Sequence, residues 1–307
     1  MTSENAGTRL LMLHRVLPDA PAAFGLPSCY RIRGTAITPA ELLGILERTA
    51  DVISLGELER TLADGYEPPR GRILTFDDGY REHHDVVAPL LESRGVTATF
   101  YVATQMHAEG AVAAVDAWYW ALDNATRPMA TMRLPTGTEF RGAVDRLEGK
   151  TAWVAGAPKM ALLAATPEQQ RVMVSTLADS LGCGLPEDLA ARLYMRREEW
   201  RDLAARGHRI GAHSVHHPRL TQLDAHALQR EVEESVRTVA ELGEPVAFAY
   251  PDGALDDRVV AAVRRAGVSS AVTCMPGVAT AGVELLRLPR EFVSPSPDGV
   301  RPLACPQ

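Results

Sequence analysis

The stretch Ile73-Leu-Thr-Phe-Asp-Asp-Gly-Tyr80 constrains this chain more than any other. A short apolar run that ends in two adjacent carboxylates and a glycine reads as a buried parallel strand, whose C-terminal tip carries Asp77 and Asp78 into a loop ahead of a helix. Open and closed α/β sheets keep their chemistry at strand tips of this kind. Successive side chains there diverge, so the two carboxylates can take different tasks, one on a metal and one facing a substrate as a base. Read alone, the stretch is better explained by an N-cap followed by an Asp-Gly turn.

A partner stands well downstream in Gly211-Ala-His-Ser-Val-His-His-Pro218. His213 and His217 are four residues apart and follow a second apolar run, Arg209-Ile-Gly-Ala212. If Ser214 opens a helical turn, the two imidazoles share one face and can grip one ion. One carboxylate with two imidazoles makes a facial triad that leaves positions for water and substrate. A lone His is more often a satisfied core or surface residue, but a pair at ligand spacing after a strand favours the metal.

With both motifs in this order, the chain resembles the polysaccharide deacetylases of the NodB-homology type. The T-F-D-D-G and H-S-x-x-H signatures match residue for residue. Flanking segments, from Leu11-Met-Leu-His-Arg-Val16 through Phe248-Ala-Tyr-Pro-Asp-Gly253 to Leu288-Pro-Arg290, extend the similarity over most of the chain. The resemblance implies that Asp77 is the catalytic base and that Asp78, His213 and His217 are metal ligands. It also implies metal-assisted hydrolysis of an N-acyl group, with the ion acting as Lewis acid and lowering the pKa of its water. The oxyanion would be held by the ion and by a backbone N–H at Asp252, and an acid would protonate the leaving amine. Zinc suits two His and one carboxylate, and nickel, cobalt or iron can occupy the same ligands.

In one subgroup of the family the general-acid His lies near the N-terminus, in an aliphatic-aromatic-His-x-Val pattern. No His follows His226 here, so the resemblance makes His14 the acid. Without it, a His at a strand tip is equally a buried structural residue. One departure stands out. Family members often carry an Arg two residues before the Pro of the third motif, paired with the catalytic Asp, where this chain has Ala249. Arg290 could reach the same carboxylate, or be an exposed basic residue in a loop. His83, His84 and His216 do not stand at the family's ligand spacing and read as surface residues or as residues behind the ligands.

Alternation of strand-like and helix-like segments points to an α/β architecture with a parallel sheet, which the resemblance makes a distorted (β/α)7-like barrel in a single catalytic domain over 1–307. Strands are expected at 10–16, 97–102, 246–250, 270–273 and 285–288, besides the two motif strands. Capping boxes at Thr38–Glu41, Ser54–Glu57 and Thr166–Gln169 open helices. From about 103 to 197 the rhythm fails, and this stretch reads as a mainly helical insertion capping the barrel mouth. Its Trp118-Tyr-Trp120 cluster could stack on a sugar, although clustered aromatics are more often core. The C-terminal tail, rich in Ser and Pro, reads as irregular.

A net charge of −7 argues against a phosphate-backbone binder, so no nucleic-acid partner is expected. Neither a signal-peptide pattern nor a run long enough to span a membrane is present, and Cys29, Cys183, Cys274 and Cys305 lack C-x-x-C spacing. These features read as a cytoplasmic protein with reduced thiols and no membrane partner; monomer and dimer are equally open. The expected activity is removal of an acetyl or formyl group from an acylamino sugar or small glycoside, a soluble biosynthetic intermediate. The alternatives are an amidase acting on a non-sugar C–N bond and a catalytically inactive carbohydrate-binding relative.

Overall fold

The computed structural model describes residues 7–49, 51–134, 137–243, 245–296 and 299–303. Twelve strands occur among them: β1 (Thr8–Leu13), β2 (Arg15–Val16), β3 (Ala36–Ile37), β4 (Gly71–Phe76), β5 (Thr99–Val102), β6 (Met129–Arg133), β7 (Glu139–Ala143), β8 (Arg209–Ala212), β9 (Ala247–Ala249), β10 (Ser270–Val272), β11 (Glu291–Ser296) and β12 (Gly299–Leu303). Eight form one sheet in the order β10-β9-β8-β5-β4-β1-β11-β12, parallel except for the β11–β12 hairpin. The sheet curls until β10 meets the segment leading into β11. There Val272 and Leu288 form a parallel bridge, Thr273 N donates to Leu288 O, and Leu288 N donates to Ala271 O. One bridge is the seam of the barrel.

The period of two along each strand sorts side chains between lumen and wall. Leu10, Ile73, Tyr101, Ala247, Ala249, Val272 and Leu288 pack together inside. Their neighbours, such as Leu11, Leu74, Phe100, Ile210 and Phe248, pack outward with the apolar faces of the crossover helices. The helix Ala225–Ala240 contributes Leu228, Val232, Val236 and Val239 at helical spacing, each worth about 1.5–3 kcal/mol when fully buried.

The boxes at Thr38 and Thr166 form with both reciprocal hydrogen bonds, whereas Ser54 accepts from Glu57 N. Two expected strands and the expected irregular tail differ. The first breaks at His14, because Arg15 and Val16 pair with β3 rather than with β4. Leu285–Arg287 is a 3-10 turn, and only Leu288 bridges. The tail expected to be irregular forms β11 and β12; only Glu291 and Phe292 pair with β1, so at Pro295 one side of the strand is open and a missing N–H is tolerated. Cys305 lies outside the described residues.

Between β5 and the helix Arg197–Ala205 that leads into β8 run five helices, Ala114–Asp123, Leu147–Ala155, Ala157–Ala164, Pro167–Leu181 and Leu189–Leu193, with the β6–β7 hairpin. The first four and the hairpin enclose an apolar cluster of their own, which includes Trp118, Tyr119, Trp153, Met173 and Leu177 and which Cys29 and Tyr30 join. Trp118 is fully buried and its Nε1 donates to Trp153 O at 3.0 Å, so this aromatic is core. Among the described residues no helix is long and apolar enough to cross a membrane.

Candidate active site

Strand parity places the first carboxylate. Ile73 and Thr75 face the lumen, so Asp77, one step past β4, does so too, and its N–H continues the ladder to Leu13 O at 3.0 Å. Parity counted from Leu288 likewise turns Arg290 inward from the seam. Its Nη1 and Nη2 each lie 2.7 Å from one Asp77 oxygen, Nε donates to Thr273 O at 2.9 Å, and Nη1 also donates to Thr75 Oγ1 at 3.1 Å. Both side chains are almost fully buried. Burial works against the charge on Asp77, but the Arg290 guanidinium outweighs it and holds the carboxyl below its usual range.

The second carboxylate leaves the strand in a turn. Asp78 has φ +74° and Gly79 φ +70°, two left-handed residues in succession. A Cβ at Gly79 would stand 3.0 Å from Val102 Cγ1, so this position needs glycine on two counts. Asp78 Oδ1 lies 3.5 Å from His213 Nε2 and 3.4 Å from His217 Nε2. Burial opposes its ionisation, yet the two imidazoles hold Asp78 far below the ordinary carboxylate range.

His213 extends β8 into the lumen, beyond Gly211, where a Cβ would lie 2.4 Å from the Tyr101 ring. His213 Nδ1 donates to Ala249 O at 2.8 Å, which leaves the Nε2 lone pair toward Asp78. No helical turn brings His217 round. Ser214 (φ +63°) and His217 (φ +57°) are left-handed, and Ser214 Oγ accepts from His217 N at 2.9 Å. Glu231 accepts from Val215 N and His216 N, each at 2.9 Å, and fixes the rest of the loop. The donor atoms of Asp78, His213 and His217 all lie within 4.8 Å of one another. Two imidazole nitrogens and one carboxylate oxygen, one imidazole already oriented from behind, fit a divalent transition metal.

His14 is half-buried between β1 and β2. Its Nδ1 is buried without a hydrogen bond among the described residues, and its ring meets Phe292 edge-on at 5.6 Å. Asp252 lies past the tip of β9 in a 3-10 turn at φ +54°, its carboxylate exposed and 3.6 Å from Arg219 Nε. The other histidines separate. His83 is fully buried, not on the surface, and its Nε2 donates to His14 O at 2.7 Å. His84 lies between Asp85 and Asp202, and His216 lies between Glu109 and Glu231, whose hydrogen bond raises it to about 9.

Sequence reasoning missed Glu231, which carries no motif, and a cluster behind the Asp78 turn built on Asp116. Tyr30 Oη and Tyr80 Oη donate to Asp116 Oδ1 at 2.7 and 2.9 Å, and Tyr194 Oη donates to Oδ2. The acidic residue ahead of Trp118-Tyr-Trp120 was the available signal, and it gives no partner.

Residues 65–139 and 172–271, more than half of the chain, match the family described as Polysaccharide deacetylase. No protein of curated function matches. The fold is similar to the Streptococcus pyogenes deacetylase PplD solved in complex with acetate, at 17% identity and TM-score 0.59, covering 94% of this chain and 93% of that one. It is also similar to the deacetylase domain of BpsB from Bordetella bronchiseptica (16%, 0.56, 95% and 97%) and to IcaB from Ammonifex degensii (17%, 0.53, 96% and 94%). With the Asp-Asp and His-His motifs brought together on one barrel rim, the chain belongs to the polysaccharide deacetylase family.

Proposed function

We propose that this protein is a metal-dependent N-deacetylase that removes an acetyl or formyl group from an acylamino sugar or small glycoside, a soluble biosynthetic intermediate in the cytoplasm. The observation that carries the reading is the buried Asp77–Arg290 pair standing beside the Asp78, His213 and His217 donor set. Thiols at Cys29 and Cys183 suit a reducing compartment.

Asp78, His213 and His217 would hold the ion, with zinc first and nickel, cobalt or iron as alternatives. When bound, it supplies Lewis acidity toward the acyl oxygen and a more acidic water. Asp77 takes the proton of the attacking water. Arg290 keeps that carboxylate ionised at rest and fixes both its oxygens, the task for which Ala249 offers no side chain. The imidazole of His14 gives a proton to the leaving amine, without which C–N cleavage would expel a strongly basic anion. The Asp252 backbone N–H is the candidate donor to the oxyanion.

The test is elemental analysis for metal, paired with acetate and formate release from a panel of acylamino sugars, for wild type and Asp77→Ala. Stoichiometric metal and release abolished in the variant are expected. Release only from acylated amino acids or cyclic amides would move the reading to an amidase. A protein that neither takes up zinc nor hydrolyses any substrate would overturn it.

A further inference from the structure

The Asp78 turn is strained, and strain of that kind persists only where the surroundings over-determine it. Much of what holds this turn comes from the segment between β5 and β8. Met195 N donates to Gly79 O at 2.9 Å, and Tyr80 forms an antiparallel bridge with Tyr194. The two tyrosine rings stack at 5.8 Å, and both hydroxyls end on the carboxylate of Asp116, which is itself buried. Tyr194 Oη also accepts from Ala113 N at 3.1 Å, which orients its proton toward Asp116.

The same carboxylate reaches the His14 side of the site. Its third donor is Tyr30, and the Arg15 guanidinium sits between two of the tyrosines, 4.4 Å from the Tyr30 ring centroid and 4.2 Å from that of Tyr80. Glu82 closes the far side of Arg15 with bonds of 2.6 and 3.0 Å. His83, next along, donates to His14 O. One buried carboxylate thus ties together the residue following His14, the turn that follows Asp78, and a segment belonging to neither motif. Burial raises the Asp116 carboxyl, an effect that Arg15 and the tyrosine hydroxyls oppose.

We infer that Asp116 is a positioning residue: through Tyr80, Tyr194 and Arg15 it holds Asp78 in metal-binding geometry and His14 beside it. The inference rests on the metal-site reading above and gives the segment between β5 and β8 a role in assembling the site. Partners standing behind metal ligands typically contribute 10–100-fold in affinity.

The experiment is chelator-competition measurement of Zn2+ affinity for wild type, Asp116→Asn, Tyr80→Phe and Leu58→Ala, with melting curves of the apoproteins. Asn keeps an acceptor for Tyr30 and Tyr80 but turns an amide donor toward Tyr194, whose lone pair already serves Ala113. Tyr80→Phe removes one hydroxyl and keeps the ring, and serves if Asp116→Asn does not fold. Leu58, on the helix Leu55–Ala63, is buried in the lumen cluster, belongs to none of the motifs and touches none of the Asp116 network, and it reports what destabilisation alone does to affinity. The expected result is 10–100-fold weaker Zn2+ binding in Asp116→Asn, a smaller loss in Tyr80→Phe, and wild-type affinity in Leu58→Ala. Wild-type affinity in both site variants, or an equal loss in Leu58→Ala, overturns the inference. A wild type that binds no Zn2+ instead overturns the metal site itself, before any variant is compared.

Discussion

Arg290 and Asp77 form a buried, doubly hydrogen-bonded ion pair. Removing one partner of a buried ion pair strands the other charge, at about 3–5 kcal/mol. Asp77 sits below its ordinary range in the folded state, so in wild type the pair contributes stability that is present above the unfolded carboxylate value and is lost as pH falls through the folded one. Arg290→Gln reverses the sign, because a buried carboxyl without its cation resists ionising. The stability gap between wild type and variant is therefore expected to be wider at pH 7 than at pH 4 in urea unfolding. The acid limb of kcat/KM should move to higher pH in the same variant. Arg290→Lys, with a point charge in place of a fork, should recover only part of either effect. The inward direction of Asp77 could be read from Ile73 and Thr75 alone. That of Arg290 could not, because its parity is counted from Leu288, whose strand pairing is a single tertiary bridge.

At the level of elements, the site is made by turns rather than by helices. Of the five non-glycine residues with positive φ among those described, Asp78, Ser214, His217 and Asp252 lie in the three motifs. Four-residue spacing suggested a helical face for His213 and His217. The chain achieves the same convergence through two left-handed residues and the Ser214 hydroxyl, a conformation that spacing alone does not distinguish from a helix. Ser214→Ala should cost about 1 kcal/mol of stability and weaken Zn2+ binding, read by thermal melting and chelator competition. Gly79→Ala meets both the +70° φ and Val102, and should cost about 1–3 kcal/mol with a larger loss of metal affinity. The capping boxes at Thr38 and Thr166 were legible because their hydrogen bonds are local. The tail was not, because β11 exists only by pairing with β1 and β12.

Across the whole molecule, the repeated strand–helix rhythm made the parallel sheet legible, since each crossover announces itself within about thirty residues. The stretch from 103 to 197 gave up its helices but not the place of its core, which is completed by Cys29 and Tyr30 from a distant part of the chain. That second core holds a charge. Lys159 donates to Tyr119 Oη at 2.7 Å, and burial lowers its pKa from 10.5 to about 8. Below about pH 8 the fold bears a buried cation, and between 8 and 10.5 the unfolded chain binds the extra proton, so stability rises with pH across that window. Lys159→Met should be more stable than wild type at pH 7 in urea unfolding, by on the order of 3 kcal/mol less the lost hydrogen bond, with the difference shrinking toward pH 10. The seam of the barrel has a consequence for synthesis. Leu288 and Arg290 leave the ribosome after every strand from β1 to β10, so a nascent chain can assemble Asp78, His213 and His217 while Asp77 still lacks its cation. A chain stopped ahead of Leu285 should therefore be unable to poise its base. On the mechanism proposed above, hydrolysis would switch on only as the closing strand docks, and the growing polypeptide would stay silent until then.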